Sequence, residues 1–389
     1  MQTLIKNAKI IQNNVENLVN IHLENEQISR IVNISETVEE ANFQQVIEAD
    51  NQLVIPGMID VHIHGANHFD MMDGTTTSIQ EVSKKCLETG CTGFLVTSVT
   101  SSKEKLLGMI RATKQVIGKE QGAKILGIHL EGPYLNPIKK GMQDPNHLRL
   151  PDLQEIKEII NFSDGLIKMV TIAPELPGAD DVIDYLISQG IVVAAGHTNA
   201  TYEEAQHAFS KGVNHITHCC NAMPAIHHRS PGITTAALEN DNVSIQAIVD
   251  NIHLHPGMVR LMHKVKTATN MVLITDALQA MGVGDGAYQF GGHLVTVIDG
   301  VARLKDGTLA SSTVTMNKAL KISTEMKLPL GDSIQMASQT PAELLNYTKI
   351  GQLRQGFDAD LIILDNEFTV QQAFLKGIQV FKKNRSHFI

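Results

Sequence analysis

The sequence is poor in cysteine, in long apolar runs and in blocks of like charge, and each shortage removes a class of protein. Four cysteines (Cys86, Cys91, Cys219 and Cys220) in 389 residues, two of them adjacent, do not make a disulfide framework. No stretch approaches the roughly 18 apolar residues of a spanning helix, so no membrane partner is expected. Lys+Arg 32 against Asp+Glu 41 gives a net charge of −9, with no run of one sign. A nucleic-acid or membrane-surface role therefore lacks an electrostatic basis. The opening MQTLIKNAKI lacks the apolar stretch of a signal peptide, so a cytoplasmic location is expected. Internal repeats and low-complexity segments are missing too. What remains is an ordinary globular balance, 43% hydrophobic and 19% charged, in a chain long enough for one or two domains. Histidine is the excess: there are 17, many near the ends of apolar runs.

The first 50 residues read as short strands (TLIKNAKII, LVNIHLE, QISRIVNI), and the last 40 do the same with ADLIILD and IQVF. One small β-sandwich domain, from residues 1–55 and 346–389, is expected to be built from both termini. The middle, 56–345, alternates apolar β-branched runs with amphipathic stretches. Eight strands are predicted, at 58–64, 93–100, 125–131, 167–174, 191–197, 213–218, 244–250 and 271–276. Between them lie segments such as SIQEVSKKCLETG, ADDVIDYLISQG and TYEEAQHAFSKG, each ending in the glycine of a helix C-cap. Eight such units fit a (β/α)8 TIM-like barrel. A doubly wound open sheet competes, but no glycine-rich phosphate fingerprint follows the first strand.

In a barrel of this kind the active site lies at the C-terminal strand ends, and here those ends carry residues that bind metals or move protons. Strand one ends Asp60-Val-His62-Ile-His64. The period of two puts His62 and His64 on one side. Strand three ends His129-Leu-Glu131, strand five in His197, strand six in His218 and strand eight in Asp276. A lone histidine at a strand end is usually a hydrogen-bonded structural residue. A series of them buried unpaired would cost several kcal/mol, and a divalent cation removes that cost. Imidazole and carboxylate ligands suit zinc or another borderline metal. Cys219 and Cys220 are either soft ligands or small packing residues, and the bulk reading is preferred. His227, His228 and Arg229, before Pro231-Gly232, form either a solvated loop or a cationic pocket for an anionic group.

These residues resemble the amidohydrolase superfamily. PGMIDVHIHG looks like its strand-one metal motif, and GQLRQGFDADLIILD looks like its closing β-sandwich signature. HLEGPYLNPIKKG, AAGHTNATYEEA, THCCNAMP and ITDAL, in that order, resemble the N-acetylglucosamine-6-phosphate deacetylase branch, across essentially the entire chain. The resemblance implies removal of an N-acetyl group from a phosphorylated amino sugar, with a galactosamine epimer or another amidohydrolase substrate as the alternative. It makes His62, His64, Glu131, His197 and His218 the metal ligands, holding two ions with Glu131 bridging; zinc is expected, with iron, manganese or cobalt as alternatives. Water activated there is the expected nucleophile. Relatives that take a carboxylated lysine from strand four differ, because Lys168 here lies near that strand's start. Asp276 is implied as the general base and acid. Met142, Gln143, Asn221, Ala222, Arg229, His253, Leu309, Ala310 and Ser311 are implied to bind substrate, with Arg229 on the phosphate. A homodimer is expected, with Arg260 a candidate phosphate contact across the subunits. A non-catalytic scaffold would be expected to have lost ligands or Asp276, and all are present.

Overall fold

A computed structural model describes residues 2–383. Its central sheet has eight parallel strands in strict chain order: Met58–Ile63, Cys91–Thr97, Lys124–Glu131, Ile167–Ile172, Val192–Ala195, His215–Ile216, Ser244–Ile248 and Met271–Ile274. All eight fall where the sequence places them. The eighth meets the first at the upper end, where the Asp276 N–H donates to the His62 carbonyl at 2.8 Å and the His64 N–H to the Ala277 carbonyl at 2.9 Å. This is a nearly closed barrel, and the open-sheet alternative is set aside.

The strands are apolar on both faces because both faces are covered. Ile59, Val61, Leu95, Met169, Val192, Ala194, Ile248, Val272 and Ile274 belong to one buried cluster that fills the interior. Phe94, Val96, Ile128, Val170, Val193 and Ile245 belong to another, shared with helix residues such as Ile79, Ile110, Ile156, Val182 and Val259. Each fully buried aliphatic side chain of this kind contributes roughly 1.5–3 kcal/mol. The helices Thr76–Glu88 and Tyr202–Ser210 stop where predicted, with Gly90 and Gly212 in the left-handed conformation just beyond. Among the described residues no helix is long and apolar enough to cross a membrane.

The termini build a second sheet of eight strands. Gln2–Gln12, Val15–Glu24, Gln27–Asn33, Gln45–Glu48 and Leu53–Pro56 come from one end, and Leu361–Leu364, Val370–Leu375 and Ile378–Lys382 from the other. They meet where Ile55 lies opposite Ile362 in an antiparallel pair. The sheet curls round a core of Ile5, Ile21, Ile28, Val54, Leu361 and Phe374. Its edge strand returns to the C-terminal segment through Ile28 N–H to the Phe357 carbonyl at 2.9 Å. Met1 and residues 384–389, included in the expected terminal domain, lie outside the described residues.

One element was not anticipated. After the eighth barrel strand, Gly286–Phe290, His293–Ile298 and Val301–Arg303 form a three-stranded antiparallel sheet. Its turns, Gly291-Gly292 (φ 55° and 82°) and Asp299-Gly300 (φ 51° and 74°), carry the paired positive φ of two-residue hairpin loops. It packs over the upper barrel, with the Phe290 ring 5.5 Å from that of His64.

Candidate metal centre

Two groups of three ligand-type side chains face each other at the upper end: His62, His64 and Asp276, and Glu131, His197 and His218. In the first, His62 Nε2 is 3.0 Å from His64 Nε2, and His64 Nε2 is 3.1 Å from Asp276 Oδ1. In the second, His218 Nε2 lies 3.0 Å from Glu131 Oε1 and 3.1 Å from His197 Nε2. The Glu131 carboxylate stands between the groups, with Oε1 3.5 Å from His62 Nε2 and Oε2 3.6 Å from His64 Nε2. Every one of these residues is buried.

The backbone bends to achieve this. His197, His218 and Asp276 all adopt positive φ (47°, 29° and 48°) where their strands end. Non-glycine residues avoid this region, and such strain gathers where a site over-determines it.

Neighbours fix which ring nitrogen faces inward. His62 Nδ1 lies 3.0 Å from Gln246 Oε1, and His197 Nδ1 lies 2.9 Å from the Lys139 carbonyl. Both partners only accept, so both rings donate from Nδ1 and turn a bare Nε2 lone pair towards the cluster. A divalent cation fits this donor set. Ligand atoms about 2.0–2.1 Å from a tetrahedral ion stand roughly 3.3–3.4 Å apart, close to the separations seen within each group. His129, expected beside Glu131, is accounted for otherwise. Its Nδ1 donates to the Val61 carbonyl at 3.1 Å, and its Nε2 pairs with the Thr171 hydroxyl at 2.7 Å.

Electrostatics agree at the two carboxylates, while His64 has to give up a proton before it can ligate a cation. Burial pushes His62 down to about 4, although Glu131 and Asp276 oppose this. Burial also opposes charge on His64, but the Asp276 hydrogen bond and the Glu131 charge outweigh it and raise it to about 9. Burial alone would raise Asp276, yet the surrounding imidazoles of His62, His64 and His218, with the His64 hydrogen bond, hold it at about 2. Glu131 is likewise held well below the carboxylate range, chiefly by His62 and His197, against its burial. Both carboxylates therefore stay ionised among imidazoles, the condition for holding a cation.

Above the cluster lies a cavity of about 220 Å³, lined by His64, Glu131, Gly141, Met142, Gln143, His197, His218, Asn221, Ala222, His253, Asp276, Thr308, Leu309 and Ser311. A larger cavity, about 620 Å³, lies between the Gln12–Asn14 turn and residues 331–339; Asp332 is in its lining, but neither three-residue ligand group is. The chemistry is in the smaller one. Gln143 faces it with both amide atoms engaged: Nε2 donates to Glu131 Oε2 at 2.6 Å, and Oε1 accepts from the Thr100 N–H at 2.7 Å. His253 donates from Nδ1 to Asp250 Oδ2 at 2.6 Å. Ser311 Oγ donates to Asp276 Oδ1 at 3.1 Å.

Three expected residues stand apart from this lining. Ala310 is fully buried in a separate apolar cluster, with its N–H bonded to the Ala302 carbonyl at 3.1 Å. Arg229 is exposed on its loop, 2.7 Å from His228 Nε2. Arg260 is exposed on the helix Pro256–Lys266, its guanidinium 3.5 Å from the Met326 carbonyl. Among the described residues no lysine or arginine lines the cavity. Cys219 is buried in the apolar cluster behind its strand, and neither Cys219 nor Cys220 joins a ligand group. Reading the sequence missed Gln246, Asp250 and Thr308, which belong to no motif; Gln246 reaches His62 from 184 residues away, whereas Asp250 is only three residues from its partner His253.

A parallel barrel with metal-ligand side chains at its strand ends defines a hydrolase class, and this chain belongs to the amidohydrolase family, whose model matches residues 53–384. It is 34% identical over 336 residues to the N-acetylglucosamine-6-phosphate deacetylase of Lysinibacillus sphaericus, covering 85% of this chain and 86% of that one. It is 33% identical over 335 residues to the N-acetylgalactosamine-6-phosphate deacetylase of Escherichia coli O157:H7, covering 85% and 89%. Its structure matches that of a variant of the Mycobacterium smegmatis N-acetyl-D-glucosamine-6-phosphate deacetylase, solved in complex with N-acetyl-D-glucosamine 6-phosphate. That match has a TM-score of 0.90 at 29% identity, over 98% of this chain and 99% of that one.

Proposed function

We propose that this chain hydrolyses the acetamide of N-acetyl-D-glucosamine 6-phosphate, releasing D-glucosamine 6-phosphate and acetate. The carrying observation is the pair of ligand groups, joined by Glu131 beneath one cavity, in a chain so close to the deacetylases. His62, His64, Glu131, His197 and His218 would hold the metal. Their nitrogen and oxygen atoms suit zinc, with iron, manganese or cobalt as alternatives, and the two groups would hold two ions per subunit. A divalent cation held there acidifies water and polarises an amide carbonyl.

The chain's own residues do the rest. The three side-chain contacts of Asp276 (to His62, His64 and Ser311) all fall on Oδ1. We assign Oδ2 to proton transfer: it takes the proton of the attacking water and returns it to the amide nitrogen as the C–N bond breaks. His253, fixed by Asp250 through Nδ1, offers Nε2 to the neighbouring sugar hydroxyl; holding the developing oxyanion would require a proton on both ring nitrogens. Met142, Asn221, Ala222, Leu309 and Ser311 shape the sugar site, and Gln143 acts by holding Glu131. The phosphate needs a cation, and among the described residues none lines the cavity. Arg229 is assigned to it, and Arg260 to the same group across a homodimer. The proposed division is a terminal β domain of residues 1–55 and 346–389 around a 56–345 barrel, in a cytoplasmic enzyme.

The test is acetate release by zinc-loaded protein from N-acetylglucosamine 6-phosphate, its galactosamine epimer and unphosphorylated N-acetylglucosamine. A marked preference for the first supports the proposal. Preference for the epimer moves the substrate to that of the Escherichia coli O157:H7 relative. Turnover of none, with metal bound, leaves the family and discards the substrate.

A further inference from the structure

Barrel strand four, Ile167–Ile172, supplies neither ligand group. The first charged side chain beyond it, Glu175, is nevertheless bonded to both loops that frame His197. Its Oε1 accepts from the Asn136 side-chain amide at 2.8 Å and from the Asn199 N–H at 2.6 Å, and its Oε2 accepts from the Thr198 hydroxyl at 2.5 Å. All three donors are neutral, so the carboxylate makes three charge-assisted hydrogen bonds, about twice as strong as neutral ones.

From Asn136 the effect runs along one loop. The Asn136 N–H donates to the His197 carbonyl at 2.9 Å. Its side-chain oxygen accepts from the Ile138 N–H at 2.9 Å and so caps the short turn Pro137–Lys139. That turn presents the Lys139 carbonyl to His197 Nδ1, the contact that sets the ring's tautomer. Gly141 then lies flat against the ring: a Cβ there would stand 3.3 Å from His197 Cε1. The loop ends at Gln143, whose amide holds Glu131 Oε2. On the other side, the Thr198 oxygen that donates to Glu175 accepts from the Ala200 N–H at 3.0 Å, immediately after the strained His197.

We propose that Glu175 is a positioning residue for the reaction: through Asn136 and Thr198 it holds the 136–143 loop and His197 so that His197 Nε2 and the Glu131 carboxylate meet in one ligand group. The inference rests on reading Glu131, His197 and His218 as a cation site. Partners that orient metal ligands commonly matter 10–100-fold in metal affinity. A carboxylate that only stabilised two surface loops would alter the melting temperature and leave cation affinity and kcat alone.

The experiment uses full-length protein stripped with a chelator. Zinc affinity is measured by competition with a chromophoric chelator, beside kcat and KM for N-acetylglucosamine 6-phosphate and thermal unfolding. The chains compared are wild type, Glu175→Ala, Glu175→Gln, Thr198→Val and Asp180→Asn. Glu175→Ala should bind zinc about 10–100-fold more weakly, with kcat falling more than KM rises, and excess zinc should restore part of its turnover. Glu175→Gln and Thr198→Val should show smaller losses in the same order, and these decide the matter if the alanine variant fails to fold. Asp180, exposed and paired with His207, should behave as wild type when changed to Asn. Zinc affinity and kcat at wild-type values in both Glu175→Gln and Thr198→Val overturn the proposal, whatever their melting temperatures. Wild type that binds no divalent cation removes the site reading itself, a result distinct from a Glu175 failure.

Discussion

The lower interior of the barrel and its upper rim are built from the same eight strands, and both are almost wholly shielded from water. Below, Ile59, Leu95, Met169, Val192, Val272 and Ile274 fill space and need only volume. Above, His62, His64, Glu131, His197, His218 and Asp276 are just as buried, but each needs a partner at a stated atom. Partners such as Gln246, Lys139 and Gln143 come from other strands and loops. The backbone differs too: positive φ gathers at His197, His218, Ala222, Asp276 and Ser311, all at or near the rim. Burial stabilises the lower layer directly. At the rim burial is a cost, offset by mutual pairing and by a cation.

Removing the cation should separate the two layers most sharply. Chelation should abolish turnover while the circular dichroism of the barrel persists, because the lower layer holds the fold. Loss of helical signal in step with activity would mean the rim carries the fold as well. Asp276→Asn should lower kcat by about 10²–10⁴-fold with metal content near wild type, and full activity would remove Asp276 as acid and base. Leu95→Ala reverses the pattern. It should cost about 2–5 kcal/mol in denaturant unfolding and leave kcat of the folded protein close to wild type. A collapse in kcat without loss of stability would show that the two layers are coupled. Arg229→Ala should have the smallest effect on the fold. It should weaken use of the phosphorylated sugar by roughly 10–100-fold, as loss of a hydrogen bond to a charged group does, and leave the unphosphorylated sugar unchanged. Equal losses on both sugars would make Arg229 structural.

What was legible in the sequence follows the same division. The barrel strands announce themselves because a strand covered on both faces is a continuous apolar run, and the glycines after helices such as Thr76–Glu88 mark where each unit ends. The ligand residues are legible because they sit at the C-terminal ends of strands one, three, five, six and eight in a repeating frame. Their supports are not. Nothing near Gln246 or Glu175 in the chain reveals that these side chains reach His62 or Asn136, since hydrogen-bond partners separated by many residues leave no local pattern. The insert at 286–303 had a signal that went unread: FGGH and IDGV between alternating apolar residues are hairpin turns. Ala310 is assigned to the substrate by motif position alone and Arg229 by motif position together with its charge and basic neighbours; the fold places Arg229 on an exposed loop and Ala310 behind the cavity wall.

The most direct test of the account is a zinc titration of the chelator-stripped protein, following bound metal and acetate release from N-acetylglucosamine 6-phosphate in the same samples. Turnover should appear in proportion to the metal bound and should fail to appear in a Glu131→Gln, His197→Ala double variant. Undiminished turnover in the stripped protein, or in that variant, would contradict a hydrolase built on the rim's ligand groups.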